Sequence, residues 1–192
     1  ANSFRAEIMQ EIYHLKEKPL VYENLRKLEY SSNEAHNKAA IKLNKYIKTD
    51  EIKIVSTSGC DTNRLNDILV KNIDKVNTQC RLFLVGDSDK ASRRKIEEII
   101  NDKKLKNVEI LGRLNQDELK FLIDNCHIGI VNYNQNDTNN KYCASGKLYE
   151  FIFEGIPVVT TTNPTLKPLC DINSVGCSDD MFYKGINKVI SN

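Results

Sequence analysis

Nowhere in its 192 residues does the chain hold the roughly 18 consecutive apolar residues that a membrane-crossing helix requires. Its first residues, Ala1-Asn2-Ser3-Phe4-Arg5, include no initiator Met and no apolar core, so they read as an excised start rather than a secretory leader. Charge of one sign is missing too. The 28 basic and 26 acidic residues leave a formal net charge of +2, too balanced for nucleic acid as the main partner. The six cysteines (Cys60, Cys80, Cys126, Cys143, Cys170 and Cys177) form no CxxC pair, and no His stands at ligand spacing beside two of them, which argues against structural zinc. Several adjoin apolar runs, as Cys80 does before Arg81-Leu82-Phe83-Leu84-Val85. They read as small buried side chains in a reducing cytoplasm. No G-x-G-x-x-G follows the first strand candidate and no acidic residue closes the second, so a dinucleotide oxidoreductase fits poorly. No internal repeat is visible. What the chain does have is 40% apolar and 28% charged residues, the balance of a soluble globular protein of one domain with a short appendage.

Phe4, Ile8, Ile12 and Leu15 recur at helical spacing behind Ser3 as N-cap, Pro19 ends that helix, and Leu20-Val21-Tyr22 reads as a short strand. Asn24 to Asn33 is a polar linker and Ala35 to Ile47 a second helix. From Glu51 a regular alternation begins. Strands are expected at Ile52–Ser56, Leu82–Val85, Val108–Leu111, His127–Val131, Ile156–Thr160 and Ser174–Gly176. Helices are expected at Asn63–Val76, Lys90–Asp102, Gln116–Asn125, Gly146–Glu154 and Asp179–Ile190, with a turn or short helix at Pro164–Cys170 and an Asn-rich loop from Asn132 to Cys143. Short buried strands alternating with helices mean βαβ units. The fold class is α/β, a doubly wound, mostly parallel Rossmann-like sheet with helices on both faces. Ligands of such sheets bind at the carboxyl ends of the strands, near the switch in strand order.

The strongest local feature is Ser145-Gly146-Lys147-Leu148-Tyr149-Glu150. Ser145 is an N-cap candidate, and Gly146 lets backbone approach a ligand. The orphan N–H groups and positive end of the helix make an anion site. Lys147 in the first turn opposes the helix dipole, which makes more sense with an anion beside it. Glu150, one turn on, suits a sugar diol. The competing reading is an ordinary capped helix with solvated charges. His14 and His36 read as surface residues and His127 as structural. Asp87-Ser88-Asp89 reads as a turn and N-cap, Asp179-Asp180 as a helix start, and Arg93-Arg94-Lys95 as a solvated basic face.

Lys147-Leu-Tyr-Glu-Phe-Ile-Phe-Glu-Gly-Ile-Pro-Val-Val159 resembles the signature of family 4 (group 1) glycosyltransferases, enzymes of the GT-B fold. Upstream, Leu82-Phe83-Leu84-Val85-Gly86, Asn107-Val108-Glu109-Ile110-Leu111-Gly112-Arg113-Leu114 with Asp117-Glu118-Leu119, and Cys126-His127-Ile128-Gly129-Ile130 resemble that family's segments in order and spacing. Ala1–Ala6 and Leu20–Asn24 resemble the end of its N-terminal domain and its linker.

The resemblance implies a C-terminal, donor-binding half: residues 1–33 the end of an N-terminal domain and its linker, residues 34–192 a nucleotide-sugar-binding domain. It implies that Ser145, Gly146 and Lys147 hold the donor diphosphate, with Gly59 and Arg64 contributing after the first strand. Glu150 would bind the ribose, and Gly112, Arg113 and Leu114 the base. Two positions depart from the family pattern: Cys60 follows Gly59 where an Arg is usual, and Tyr142 stands eight residues before Glu150 where a first Glu is usual. The implied activity is retaining transfer of a hexosyl group from a nucleoside-diphosphate sugar, UDP-linked in the first instance, to a glycan or lipid-linked acceptor in surface polysaccharide synthesis. No metal or other cofactor is implied. The implied setting is cytoplasmic, with peripheral membrane contact open to the full-length enzyme. The catalytic residues are expected partly in a missing N-terminal domain, so this chain alone is expected to be inactive. The alternative is a Rossmann-like nucleotide-binding or regulatory module without transfer chemistry.

Overall fold

The computed structural model describes every residue except Ala1 and Asn24, so the linker expected from Asn24 and the resemblance at Ala1 begin on positions outside the described residues. Among the described residues the strands β1 (Ile52–Ser56), β2 (Cys80–Val85), β3 (Val108–Gly112), β4 (Ile128–Val131), β5 (Val158–Thr160) and β6 (Gly176–Ser178) form one sheet. Its order is β3-β2-β1-β4-β5-β6 and every pairing is parallel. The helices are α1 (Ser3–Ile12), α2 (Asn33–Ile47), α3 (Asn66–Lys71), α4 (Lys90–Asp102), α5 (Gln116–Asp124), α6 (Thr138–Lys141), α7 (Gly146–Phe153), α8 (Lys167–Asn173) and α9 (Phe182–Ile190).

Side chains alternate across the pleat, so each strand feeds two cores. Leu82 and Leu84 of β2 join Ile54, Ile128, Ile130 and Val159, where Leu69, Ile96 and Ile186 come down from α3, α4 and α9. Phe83 and Val85 join Val55, Val131 and Val158, where Leu43, Leu122 and Phe151 come from α2, α5 and α7. The expected doubly wound α/β class is therefore the observed one. One seat is especially tight: a Cβ on Gly129 of β4 would lie 2.5 Å from the Phe151 ring. Helix α5 starts from a reciprocal capping box between Asn115 and Glu118. Glu118 also receives Lys42 of α2 at 2.8 Å, which ties the two helices.

Several expected boundaries move. The cap of α1 is Asn2, whose side chain accepts from the Arg5 amide, rather than Ser3. The helix ends at Ile12, before His14 with φ 51°, and so well short of Pro19. Leu20-Val21-Tyr22 is not a strand: it has no partner ladder, and Leu20 is 84% exposed. The polar linker carries a fully buried Leu28, drawn into the core beside α2 and α5. The helix expected over Asn63–Val76 breaks into two single 3₁₀ turns around α3, at Leu65 with φ 60° and at Asn72. The Asn-rich loop contains α6. The last strand lies two residues later than expected, and α9 begins at Phe182 rather than Asp179.

Candidate functional site

Strands β1 and β4 are neighbours at the point where the strand order reverses, so the loops leaving their carboxyl ends open a crevice there. Helix α7 points its N-terminus into this region. Among the described residues no side chain caps it: Ser145 makes no capping bond, contrary to expectation, and its buried hydroxyl sits 3.4 Å from the Tyr133 hydroxyl, which donates to it. The first-turn amides are thus left without a side-chain partner. Lys147 crosses to the loop after β1, where its Nζ donates to the Thr57 carbonyl at 2.8 Å and to Ser58 Oγ at 2.9 Å. Burial, then the nearby Arg64, pushes the Lys147 ammonium down to a pKa of about 8, against the opposing pull of Glu150 and Asp61.

Arg64 lies in the turn between β1 and α3. Its guanidinium stacks 4.0 Å from the Tyr133 ring centroid and donates to Asn140 Oδ1 at 3.0 Å, with Asp61 at 4.0 Å. Two cations from distant parts of the sequence therefore face one uncapped helix start, the arrangement that receives an anion. The buried Thr57 hydroxyl beside them has no hydrogen-bond partner among the described residues. Glu150, one turn into α7, keeps 12% of its side chain exposed and pairs at 3.9 Å with Arg26 of the linker. Burial raises its carboxyl pKa, while Arg26 and Lys147 oppose the rise. Arg26 also donates to Gln116 at the start of α5, so it bridges Glu150 of α7 to that helix.

The remaining expected residues sit further out. Gly59 turns with φ 60°, and a Cβ there would lie 2.6 Å from both the Asp87 carbonyl and Ser88 Oγ. Its amide already donates to the Val85 carbonyl, so it clamps the loops after β1 and β2 together. Gly112 accepts the Gly86 amide in the same way. Arg113 is 81% exposed and pairs with Asp87 at 3.3 Å, a surface contact worth at most about 1 kcal/mol. Leu114 packs on the core. The structure brings Ser145, Gly146, Lys147, Arg64 and Glu150 together. Gly59 is tied by its amide to the end of β2, and Gly112 to Leu114 lie at the carboxyl end of β3, two strands from β1.

Sequence reasoning missed Thr57, Ser58, Asn66, Asn132 and Arg26. Beneath Lys147, the buried Asn66 accepts from Ser56 Oγ at 3.0 Å and from Asn132 Nδ2 at 2.9 Å, and donates to the Gly59 carbonyl at 2.9 Å. Asn132 is the first residue after β4, and that position was the signal that could have found it. Tyr142 is occupied elsewhere: its ring stacks on Phe4, and its carbonyl accepts from Asn2 and Arg5. The basic cluster on α4 is paired, Arg93 with Glu97, Arg94 with Glu98 and Lys95 with Asp67. His127 Nδ1 accepts the Lys53 amide at 2.9 Å, a bond across the β1–β4 pair. All six cysteines are free and buried. Among the described residues, no three His, Cys, Asp or Glu side chains converge as metal ligands would, and no helix is long and apolar enough to cross a membrane.

A family model described as "Glycosyl transferases group 1" matches residues 52–190. No curated protein matches the chain in sequence at a significant level. Solved structures share the fold. A glycosyltransferase from Rickettsia africae superposes with a TM-score of 0.73 at 17% identity, covering 98% of this chain and 50% of its own. Sucrose-phosphate synthase from Thermosynechococcus elongatus gives 0.68 at 18% identity, covering 100% and 48%. Anabaena HepE, solved in complex with UDP-glucose, gives 0.65 at 16% identity, covering 88% and 45%. The chain thus spans about half the length of the structures it matches.

Proposed function

The chain belongs to the group 1 glycosyl transferases, and from that premise we propose that it is the donor-binding half of a retaining glycosyltransferase that uses a nucleoside-diphosphate sugar. The observation that carries this reading is the convergence of Lys147 and Arg64 on the uncapped start of α7, with Glu150 one turn further on. The donor diphosphate binds there, and the Glu150 carboxylate accepts hydrogen bonds from the ribose hydroxyls. The base lies against the backbone of Gly112 to Leu114. As the bond from sugar to phosphate breaks, negative charge grows on the departing diphosphate. The two cations and the helix N-terminus stabilise that charge from fixed positions. No step requires a metal. The known complex of HepE with UDP-glucose makes a UDP-sugar the first donor to try.

The acceptor is a glycan or a lipid-linked sugar of surface polysaccharide synthesis, held mainly by an N-terminal domain outside these residues. Residues 1–33 form the seam to that domain. A nucleotide-binding module without transfer chemistry is the second reading, favoured by two features: the Gly59 amide is already engaged, and Tyr142 stacks on Phe4.

The test is calorimetry and thermal shift with UDP, GDP, ADP and CMP on the wild type, Lys147→Ala and Glu150→Ala. One diphosphate binds selectively. At a hundredfold excess over its Kd it adds about 2.7 kcal/mol of stability, which raises Tm by roughly 5–11 °C. Both variants lose the shift. Binding that survives both substitutions would remove the proposed site.

A further inference from the structure

We infer that Asn132 is a positioning residue for the Lys147 ammonium, acting with Asn66 through Ser58 as a one-way hydrogen-bond relay that turns the acceptor face of the Ser58 hydroxyl toward that ammonium. The inference deepens the donor reading above and rests on it only for its functional meaning. Its geometry begins at the Gly59 carbonyl, which can only accept. The Asn66 amide nitrogen must therefore face it, at 2.9 Å. That orientation fixes Asn66 Oδ1 as the acceptor for both Ser56 Oγ at 3.0 Å and Asn132 Nδ2 at 2.9 Å. Asn132 must then present its own Oδ1 on the other side, where the Ser58 hydroxyl donates to it at 3.4 Å. With its proton directed that way, Ser58 Oγ can accept from Lys147 at 2.9 Å. An ammonium only donates, so a Ser58 hydroxyl turned the other way would place two donors face to face.

Asn66 and Asn132 are both essentially fully buried, so neither has water to take over a missing partner. The relay occupies one Lys147 donor and the Thr57 carbonyl a second, which leaves the third for an anion. The relay also bears on the charge state of Lys147. Arg64, from the turn after β1, disfavours the charged form. Asp61 from that turn and Glu150 from α7 favour it, and Glu150 is itself partly compensated by Arg26. Ser58 is the neutral side-chain acceptor that offsets the burial of the ammonium. Taking the relay away leaves that cation with less to hold it.

The experiment reads Lys147 in the unliganded 192-residue chain, by following lysine 13Cε resonances against pH and assigning Lys147 by its loss in Lys147→Ala. Asn132→Leu and Ser58→Ala are each expected to lower the Lys147 midpoint by about half a pH unit or more, and Ser58→Thr, which keeps the hydroxyl, to leave it in place. In a Ser58→Ala background, Asn132→Leu is expected to add nothing. UDP affinity at pH 7.5 is expected to fall about two- to tenfold in Asn132→Leu, the factor that one hydrogen bond carries. A Lys147 midpoint that stays put in folded Asn132→Leu and Ser58→Ala overturns the relay, and so do additive shifts in the double variant. Should Asn132→Leu fail to fold, Ser58→Ala against Ser58→Thr decides alone. If none of UDP, GDP and ADP binds the wild type, the donor reading fails while the titration result still decides the relay.

Discussion

Lys147 and Glu150 stand three residues apart on one helix, and that spacing alone places them on the same face. Their partnership was legible in the sequence for that reason. Asn66 and Asn132 were not legible, because 66 residues separate them and only the pairing of β1 with β4 brings their amides together. Arg26 was missed for the same reason: it lies in a polar stretch, and its two partners are supplied by α5 and α7. His127 shows the reverse case, a titratable side chain doing structural work. Its Nδ1 must be unprotonated to accept the Lys53 amide. Burial, then Lys53, holds its pKa below the usual imidazole value. The unfolded chain therefore takes up this proton first as pH falls. The contribution to stability is complete above about pH 6.5. It is lost as pH drops from there through the lowered folded-state value. The imidazole is partly solvated, so the slope is shallow. His127→Asn, which keeps an acceptor but does not titrate, is expected to flatten the loss of stability between pH 7 and 5 in urea titrations. An unchanged slope would show that another group sets it.

At the scale of elements, the strands of the sheet were readable because Leu82 to Val85 and their neighbours are apolar on both faces, as a strand covered by helices on each side must be. The helix expected over Asn63–Val76 was only partly readable. Its apolar spacing is helical throughout, but the left-handed backbone at Leu65 is set by tertiary packing that no local pattern announces. The last strand slipped by two residues because β6 is three residues long and takes its register from β5. Packing between elements also yields a sharp prediction at Gly129. A methyl group there would meet the Phe151 ring at 2.5 Å, and that ring is fully buried. Either α7 must lift from β4 or the ring must leave its rotamer. Gly129→Ala is expected to cost about 1–3 kcal/mol by denaturant titration and to weaken nucleotide binding with it, since α7 carries the anion site. Full stability in that variant would mean the helix yields freely.

For the whole molecule, most of the exposed large apolar residues lie in the amino-terminal stretch, where Ile12, Tyr13, Leu20 and Leu25 each keep more than half of their surface in solvent, while Ile41 and Ile172 are exposed apart from it. That stretch is the face on which the proposed acceptor domain would sit. The 192-residue chain alone is expected to give no sugar transfer from a nucleoside-diphosphate sugar in a radiolabel assay, even under conditions where the diphosphate binds. Transfer above background would place the full catalytic set inside these residues. The six buried thiols have a further use at this scale. They are spread over the loop after β1, β2, the approach to β4, the approach to α7, α8 and β6, and burial raises the pKa of every one. A thiol reagent can therefore reach each only when its own piece of the fold opens. The chain carries six internal clocks, and the order in which they run down maps which parts of the sheet breathe separately and which open only together.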